Sequence, residues 1–180
     1  QEYPRIADDV RLLAQQLARC KLSLHNLARA AEQPSDQLRR EAFTDYLDKV
    51  LTHWHLLQPG ITKKNQVAPL PVFIRVDSTC EQAIINLLNN AAEASPAGIE
   101  ISAAADAKAA TITITIRDHG PGIDPAASNI GKPFVSTRGQ GRGLGLFLSN
   151  ATIERLGGQV GMQPHPAGGT LTSITLPCTQ

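Results

Sequence analysis

The chain has 180 residues, of which 42% are hydrophobic and 4% aromatic, and its formal net charge is +1. This composition is typical of a globular protein, and the near-zero charge with few aromatic side chains argues against a nucleic-acid or membrane-surface binder. No apolar run approaches the roughly 20 residues that span a bilayer, the start lacks the features of a signal peptide, and the three cysteines lie far apart, so we expect a reducing, cytoplasmic location.

Residues 4–31 are predicted to form an amphipathic helix. Its apolar positions, from Ile6 to Ala31, recur at alternating steps of four and three, which is the spacing of a coiled coil or helical bundle. The narrow stripe favours a dimerization seam over a helix packed on its own domain. A second helix is predicted to follow, with Ser35 as its N-cap and Pro59 just after its end.

The remaining residues alternate between strand and helix patterns. Strands are predicted at 72–76, 99–103 and 111–117 and on both sides of the Gly168-Gly169 turn, and helices at 79–94 and 144–156. This order predicts an α+β sandwich with a mixed, mostly antiparallel sheet and helices on one face. We therefore assign residues 1–58 to a helical segment and residues 59–180 to the sandwich domain.

Three segments of the sandwich domain carry motifs suited to nucleotide chemistry. Asn86 and Asn90 lie one helical turn apart, where amide oxygens can coordinate Mg²⁺ and amide nitrogens can donate to phosphates. Asp118 follows a strand and precedes two glycines, so its carboxylate can accept from an exocyclic amine such as adenine N6. Alternating glycines at 139–145 precede a helix, whose first amides favour phosphates. Taken singly, the motifs also fit a polar helix face, a tight turn and a flexible loop.

Together these motifs resemble the nucleotide-binding boxes of the histidine-kinase, gyrase, Hsp90 and MutL superfamily. The N box is matched by residues 86–94, the first glycine box by 118–122 and the F box by 132–134. The second glycine box is matched by residues 141–146 and the closing glycine motif by 168–170. The resemblance implies a Bergerat-type two-layer sandwich that binds ATP and Mg²⁺.

The resemblance also implies a role for each matched residue. Asn90 would hold Mg²⁺ with Asn86 near the phosphates, and both would serve catalysis. Asp118 would bind the adenine amine, with Gly120 and Gly122 shaping the base pocket. The other implied nucleotide-binding residues are Lys132, Arg138, Gly141, Arg142, Gly143, Leu144, Gly145 and Thr170. Residues 125–140 would form a lid over the ATP. The cations in and beside this lid could equally be ordinary charged residues on the surface.

One departure within the superfamily favours the kinase branch. The ATP-hydrolysing relatives carry a Glu base at the position of Asn86, and an amide cannot activate water as a carboxylate does. The resemblance is therefore to sensor histidine kinases, which pass the γ-phosphate to a histidine and then to a response regulator. We expect the acceptor upstream of Gln1, with His25 as a weak alternative. Residues 4–31 would then be a second dimerization helix of a homodimer, and the fragment would be inactive alone.

Cys20 carries a narrower resemblance. The segment Leu17-Ala18-Arg19-Cys20 is similar to the Reg/Prr group of redox-responsive kinases, which implies redox control through an intersubunit disulfide. Cys20 lies on the predicted seam, where two equivalent cysteines can approach closely, although a small apolar core residue fits too.

Family analogy implies a parent anchored in the bacterial inner membrane. An anti-sigma-type serine kinase and a non-catalytic nucleotide-binding or interaction module remain as alternative functions.

Overall fold

The computed structural model describes residues 38–65, 67–96, 98–123 and 143–179. The predicted dimerization helix, residues 4–31, lies outside these residues, and so does Cys20. The described residues belong to one compact unit, Gln37–Gln180. None of the helices in this part of the chain is long and apolar enough to cross a bilayer.

In the described residues, seven strands form one mixed sheet in the order β1-β3-β7-β5-β4-β2, and β6 pairs with β7. The strands are β1 (Arg39–Ala42), β2 (Lys63–Asn65), β3 (Phe73–Val76), β4 (Ile99–Asp106), β5 (Thr111–Asp118), β6 (Gln159–Pro164) and β7 (Thr170–Thr179). The pairing of β2 with β4 is parallel, and the other pairings between described strands are antiparallel. β7 is central, because it pairs with β5 and β6 and, through its last two residues, with the start of β3.

The strands alternate between a buried face and a partly exposed face. In β5 the isoleucines Ile112, Ile114 and Ile116 are buried, whereas the threonines between them are half-buried. Successive strand residues point to opposite faces, so the period of two in the sequence translates directly into this burial pattern. On the partly exposed face the hydroxyls of Thr113 and Thr175 lie 3.1 Å apart.

The helices that the described ranges contain pack on the buried face: α1 (Phe43–Leu57), α2 (Ser78–Ala94) and α3 (Gly143–Arg155). Each helix contributes to the same apolar core as the sheet, α1 through Trp54, α2 through Leu88 and α3 through Ile153. The start of α2 is fixed by Asp77, whose side chain accepts hydrogen bonds from the N–H groups of Thr79 and Cys80. The predicted α+β sandwich with helices on one face is confirmed.

The structure corrects the predicted start of the second helix near Ser35. Residues Arg39–Ala42 form β1 and pair with β3, and the helix begins only at Phe43. Leu38 and Ala42 fit helical spacing, but the backbone of this segment finds its partners on a strand distant in sequence. β2 escapes prediction because its three residues, Lys63–Asn65, show no alternation of apolar and polar side chains.

The domain boundary also differs from the one predicted between residues 58 and 59. Phe43 and Trp54 of α1 are fully buried, and they share one core with α2 and the sheet. The compact unit therefore begins at Gln37. The apolar stripe of α1, which the sequence assigns to a separate helical segment, is covered by the sandwich.

Candidate functional site

Asp118, the last residue of β5, is 4% exposed and is held by two backbone groups. Its Oδ1 atom accepts the N–H of Gly120 at 2.9 Å and the N–H of Thr170 at 3.1 Å. Among the residues that the structure describes, no group bonds to Oδ2. Within the described part of the chain, the second carboxylate oxygen is left to accept a hydrogen bond from a ligand.

Glycines let three backbone segments meet around Asp118. A Cβ at Gly120 would lie 2.5 Å from the carbonyl oxygen of Ala94, and a Cβ at Gly169 would overlap the carbonyl of Asp118. Gly169 also has a φ of +83°, a conformation that side chains with a Cβ rarely adopt. The end of α2, the segment after β5 and the start of β7 thus converge at one place. We name this convergence of Ala94, Asp118, Gly120 and Gly169 the pocket end.

α2 brings the asparagines towards the pocket end. Asn90 is exposed and lies one turn before Ala94, whereas Asn86 is half-buried and accepts a hydrogen bond from Gln82 at 3.2 Å. Asn89, which has no predicted role, accepts the indole N–H of the fully buried Trp54 at 2.9 Å. This bond joins α1 to α2 beside the predicted Mg²⁺ ligand. Because the two residues lie on different helices, the sequence offers no signal for it.

α3 begins at Gly143, so the backbone of the second glycine motif enters the helix directly. A Cβ at Gly145 would meet no atom of the described residues within 4 Å. Packing within this part of the chain therefore does not require a glycine there. At the C-terminal end of α3, Arg155 donates to Asp77 Oδ2 at 2.6 Å and to Thr79 Oγ1 at 2.7 Å.

The Asp77 carboxylate is kept ionised by its neighbours. Burial alone would raise the pKa of Asp77, but hydrogen bonds from Thr79, Arg155 and the N–H of Cys80 outweigh burial and hold that pKa below its ordinary value. The charge of Arg155 acts in the same direction. Asp77 was not among the predicted site residues. Its position before an amphipathic helix indicates an N-cap, but the sequence does not indicate that Arg155 of α3 is its partner.

A group of charges surrounds Glu100 on the sheet, near the pocket end. Glu100 lies 3.7 Å from Arg117 and 3.7 Å from His119, and 4.0 Å from Lys64. Arg117 and His119 flank Asp118 in sequence, and Lys64 lies on the neighbouring strand β2. Arg117 and Lys64 thus already have a carboxylate as their partner.

The structure brings together Asp118, Gly120 and Thr170 of the predicted site, and Gly122 lies close by. Gly122 has a φ of +82°, and a Cβ there would lie 3.3 Å from the carbonyl oxygen of Gly169. The backbone of α3 begins with Gly143 and Leu144. The predicted residues that lie outside the described residues are Lys132, Arg138, Gly141 and Arg142. The binding roles of all these residues stay predictions.

Comparison with known proteins shows the relationship of the chain. Residues 76–180, more than half of the chain, match the family described as "Histidine kinase-, DNA gyrase B-, and HSP90-like ATPase". The chain belongs to this family. The Bergerat-type fold that the boxes imply is confirmed.

Individual relatives narrow the comparison. The C4-dicarboxylate transport sensor protein DctS of Rhodobacter capsulatus is 34% identical over 105 residues, which cover 56% of this chain and 16% of DctS. The mycobacterial sensor histidine kinase MprB is similar in structure with a TM-score of 0.65 and 27% identity, over 78% of this chain and 97% of the MprB chain. The predicted kinship with catalytic domains of sensor histidine kinases is confirmed.

A third comparison concerns a longer kinase. Full-length ShkA, solved in complex with AMPPNP, has a TM-score of 0.74 over 100% of this chain and 40% of the ShkA chain. At 24% identity this likeness shows the fold alone. The chain thus corresponds to a minor part of the length of DctS and of ShkA.

Proposed function

We propose that this chain is the ATP-binding catalytic part of a two-component sensor histidine kinase. The γ-phosphate of ATP passes to a histidine outside the sandwich and from there to a response regulator. One observation carries the proposal: Asp118 is fixed through Oδ1 by two backbone N–H groups, at the end of the sheet where α2 brings in Asn90. The fold and the family support it.

The residues at the pocket end fit an adenine ring. Asp118 Oδ2 accepts from the exocyclic amine, and an acceptor already held in place loses little conformational freedom on binding. Gly120 and Gly122 bring backbone close to the flat base without interference from a Cβ. Thr170 is 3% exposed, and its N–H helps Gly120 to fix Oδ1 of the carboxylate.

The asparagines and the start of α3 fit Mg²⁺ and the phosphates. Mg²⁺ prefers oxygen ligands and keeps several waters, so one amide oxygen from exposed Asn90 suits it. Asn86 lies one turn earlier on the same helix and reaches the phosphates. The first amides of α3, from Gly143 and Gly145, donate to phosphate oxygens at the positive end of the helix dipole. Gly141, Leu144 and the cations Lys132, Arg138 and Arg142 complete this proposed set.

Transfer to a protein side chain is favoured over hydrolysis. Asn86 stands where a hydrolase would need a carboxylate to activate water. Glu81, the nearest carboxylate before it on α2, lies 2.7 Å from His53 of α1 and is thereby engaged with that helix. In phosphoryl transfer, a protein mainly positions groups and stabilises charge, and asparagine amides, glycine N–H groups and cations can do both.

The partners follow from this function. The proposed partners are a response regulator and a second copy of the chain, bound through residues 4–31. We propose a cytoplasmic site of action, with a parent anchored in the inner membrane and no nucleic-acid ligand. A redox switch at Cys20, as in the Reg/Prr group, stays a prediction.

The test supplies an acceptor. The chain is incubated with Mg²⁺, ATP labelled at the γ-phosphate and the purified dimerization hairpin of the relative DctS. We expect label on the hairpin that is lost in acid and stable in alkali, as phosphohistidine is, and no label with Asn90→Ala. Acid-stable label on a serine would support the anti-sigma-type kinase instead. Saturable ATP binding without label on DctS or other acceptor hairpins would support the non-catalytic module.

A further inference from the structure

Arg155, in the last turn of α3, is tied to the residue that caps α2. Its Nη2 atom lies 2.6 Å from Asp77 Oδ2, while Asp77 Oδ1 caps α2. The Asp77 side chain is 3% exposed and that of Arg155 is 48% exposed. Burial of the carboxylate leaves the pair less screened by solvent and salt than a pair on the open surface. One carboxylate therefore holds the start of α2 and the end of α3, and we name this contact the clasp.

The clasp and the pocket end lie at opposite ends of α2. β3 leads into Asp77, and its antiparallel register against β7 sets Asp77 level with the middle of that strand, whereas Asp118 is bonded to Thr170 at the first residue of β7. α2 runs from the clasp to the pocket end, where Ala94 meets Gly120. α3 ends at the clasp and packs against α2. Its first turn therefore points towards the pocket end.

The rise of an α-helix gives the distance of Asn90 and of Gly143 from the clasp. At about 1.5 Å per residue, Asn90 lies about 20 Å along α2 from Asp77. By the same measure Gly143 lies about 18 Å along α3 from Arg155. Both distances start at one ion pair, so the two helices carry Gly143 and Asn90 over similar lengths away from it. A shift of α3 along its axis would separate them.

We infer that Arg155 and Asp77 are positioning residues for the phosphate half of the nucleotide site. The clasp fixes how far α3 reaches along α2, and it thereby keeps the first amides of α3 beside Asn90. The inference rests on the proposed function, because it takes the phosphates to lie between these groups. The adenine half is built from β5, β7 and the end of α2, and it does not depend on the position of α3.

Two variants break the clasp in different ways. Arg155→Met keeps an apolar stem of similar length and removes the charge. Asp77→Asn removes the charge and keeps the cap, because asparagine caps a helix about as well as aspartate. The control is Lys49→Met, which breaks the exposed 3.3 Å pair with Glu41 between α1 and β1.

The measurement is calorimetric titration of each variant with MgATP and, separately, with adenosine. We expect the Kd for MgATP to rise about tenfold in both clasp variants, the range that helix-terminus electrostatics can supply, with the Kd for adenosine unchanged. The double variant should bind MgATP no more weakly than either single variant, because both changes remove one contact. Lys49→Met should bind both ligands like the wild type.

The alternatives give distinct results. Wild-type affinity for MgATP in folded Arg155→Met and Asp77→Asn would overturn the inference. Parallel loss of MgATP and adenosine would overturn it too, since the clasp would then support only the fold. A wild-type chain that binds adenosine but not MgATP, or neither, would overturn the proposed function and this inference with it.

Discussion

Thr170 donates its backbone N–H to Asp118 Oδ1 at 3.1 Å, across 52 positions of sequence. The N–H of Gly120 donates to the same oxygen at 2.9 Å. Two backbone donors thus orient the carboxylate before any ligand binds, and its second oxygen is presented at the pocket end. The turn between β6 and β7 is as much a part of the site as the strand that carries Asp118.

Gly169→Ala should destabilise the fold more than Gly168→Ala. Both glycines have positive φ, +83° and +86°, but only at Gly169 would a Cβ overlap the carbonyl of Asp118. We expect Gly169→Ala to lower the free energy of unfolding by about 3–4 kcal/mol, and Gly168→Ala by about 1–2 kcal/mol from backbone strain alone. Urea unfolding followed by circular dichroism measures both, and equal losses would contradict the close approach.

Trp54→Phe should lower the free energy of unfolding although the ring stays apolar. The indole N–H of Trp54 donates to Asn89 at 2.9 Å, and removing it leaves a partly buried amide oxygen without its donor. We expect a loss of about 1–2 kcal/mol. In a cycle with Asn89→Ala the two changes should couple by about 1 kcal/mol, since each breaks the same bond. Strictly additive losses in urea unfolding would show that the bond contributes nothing.

The stability that Asp77 contributes should disappear in acid. Its pKa is lowered in the folded chain from the ordinary 3.8. A carboxyl group with a depressed folded pKa contributes stability above its unfolded pKa and loses it as pH falls through the folded pKa. The free energy of unfolding of the wild type should therefore exceed that of Asp77→Asn at pH 7, and the difference should shrink as pH falls below about 4. A difference that grows in acid would contradict the assigned ionisation.

Cys80 should resist alkylation until the chain unfolds. The residue is fully buried, and burial raises the pKa of its thiol to about 12. At pH 8 only about one molecule in ten thousand carries the reactive thiolate. Cys178, whose pKa is also raised by burial, is 9% exposed near the end of β7 and should react sooner. Iodoacetamide labelling with peptide mapping, with and without urea, separates the two, and rapid native labelling of Cys80 would refute its burial.

Features that lie within one element could be predicted from the sequence. The alternation of threonine and isoleucine over Thr111–Asp118 is a local period of two, and the apolar spacing of α2 is a local period near 3.6. The predicted N box and first glycine box are also short, continuous motifs. The structure places both at the pocket end, and their ligand-binding role stays a prediction.

Contacts between distant segments could not be predicted. Trp54 and Asn89 are 35 positions apart, and Asp77 and Arg155 are 78 positions apart. Each of these residues has an ordinary local interpretation, as a core aromatic, a polar helix residue, an N-cap or an exposed cation. The sequence predicts a helix in place of β1 for the same reason, because the strand arises only from pairing with β3.

The central claim is tested most directly by calorimetric titration of this chain with ATP and Mg²⁺, beside Asp118→Asn. The asparagine Oδ1 can still accept from Gly120 and Thr170, so the variant should keep its fold. Its Nδ2 would face the adenine amine as a second donor. We predict saturable binding by the wild type and affinity at least about 100-fold weaker in the variant. Equal affinity in the two proteins, or no binding by the wild type, would contradict the account.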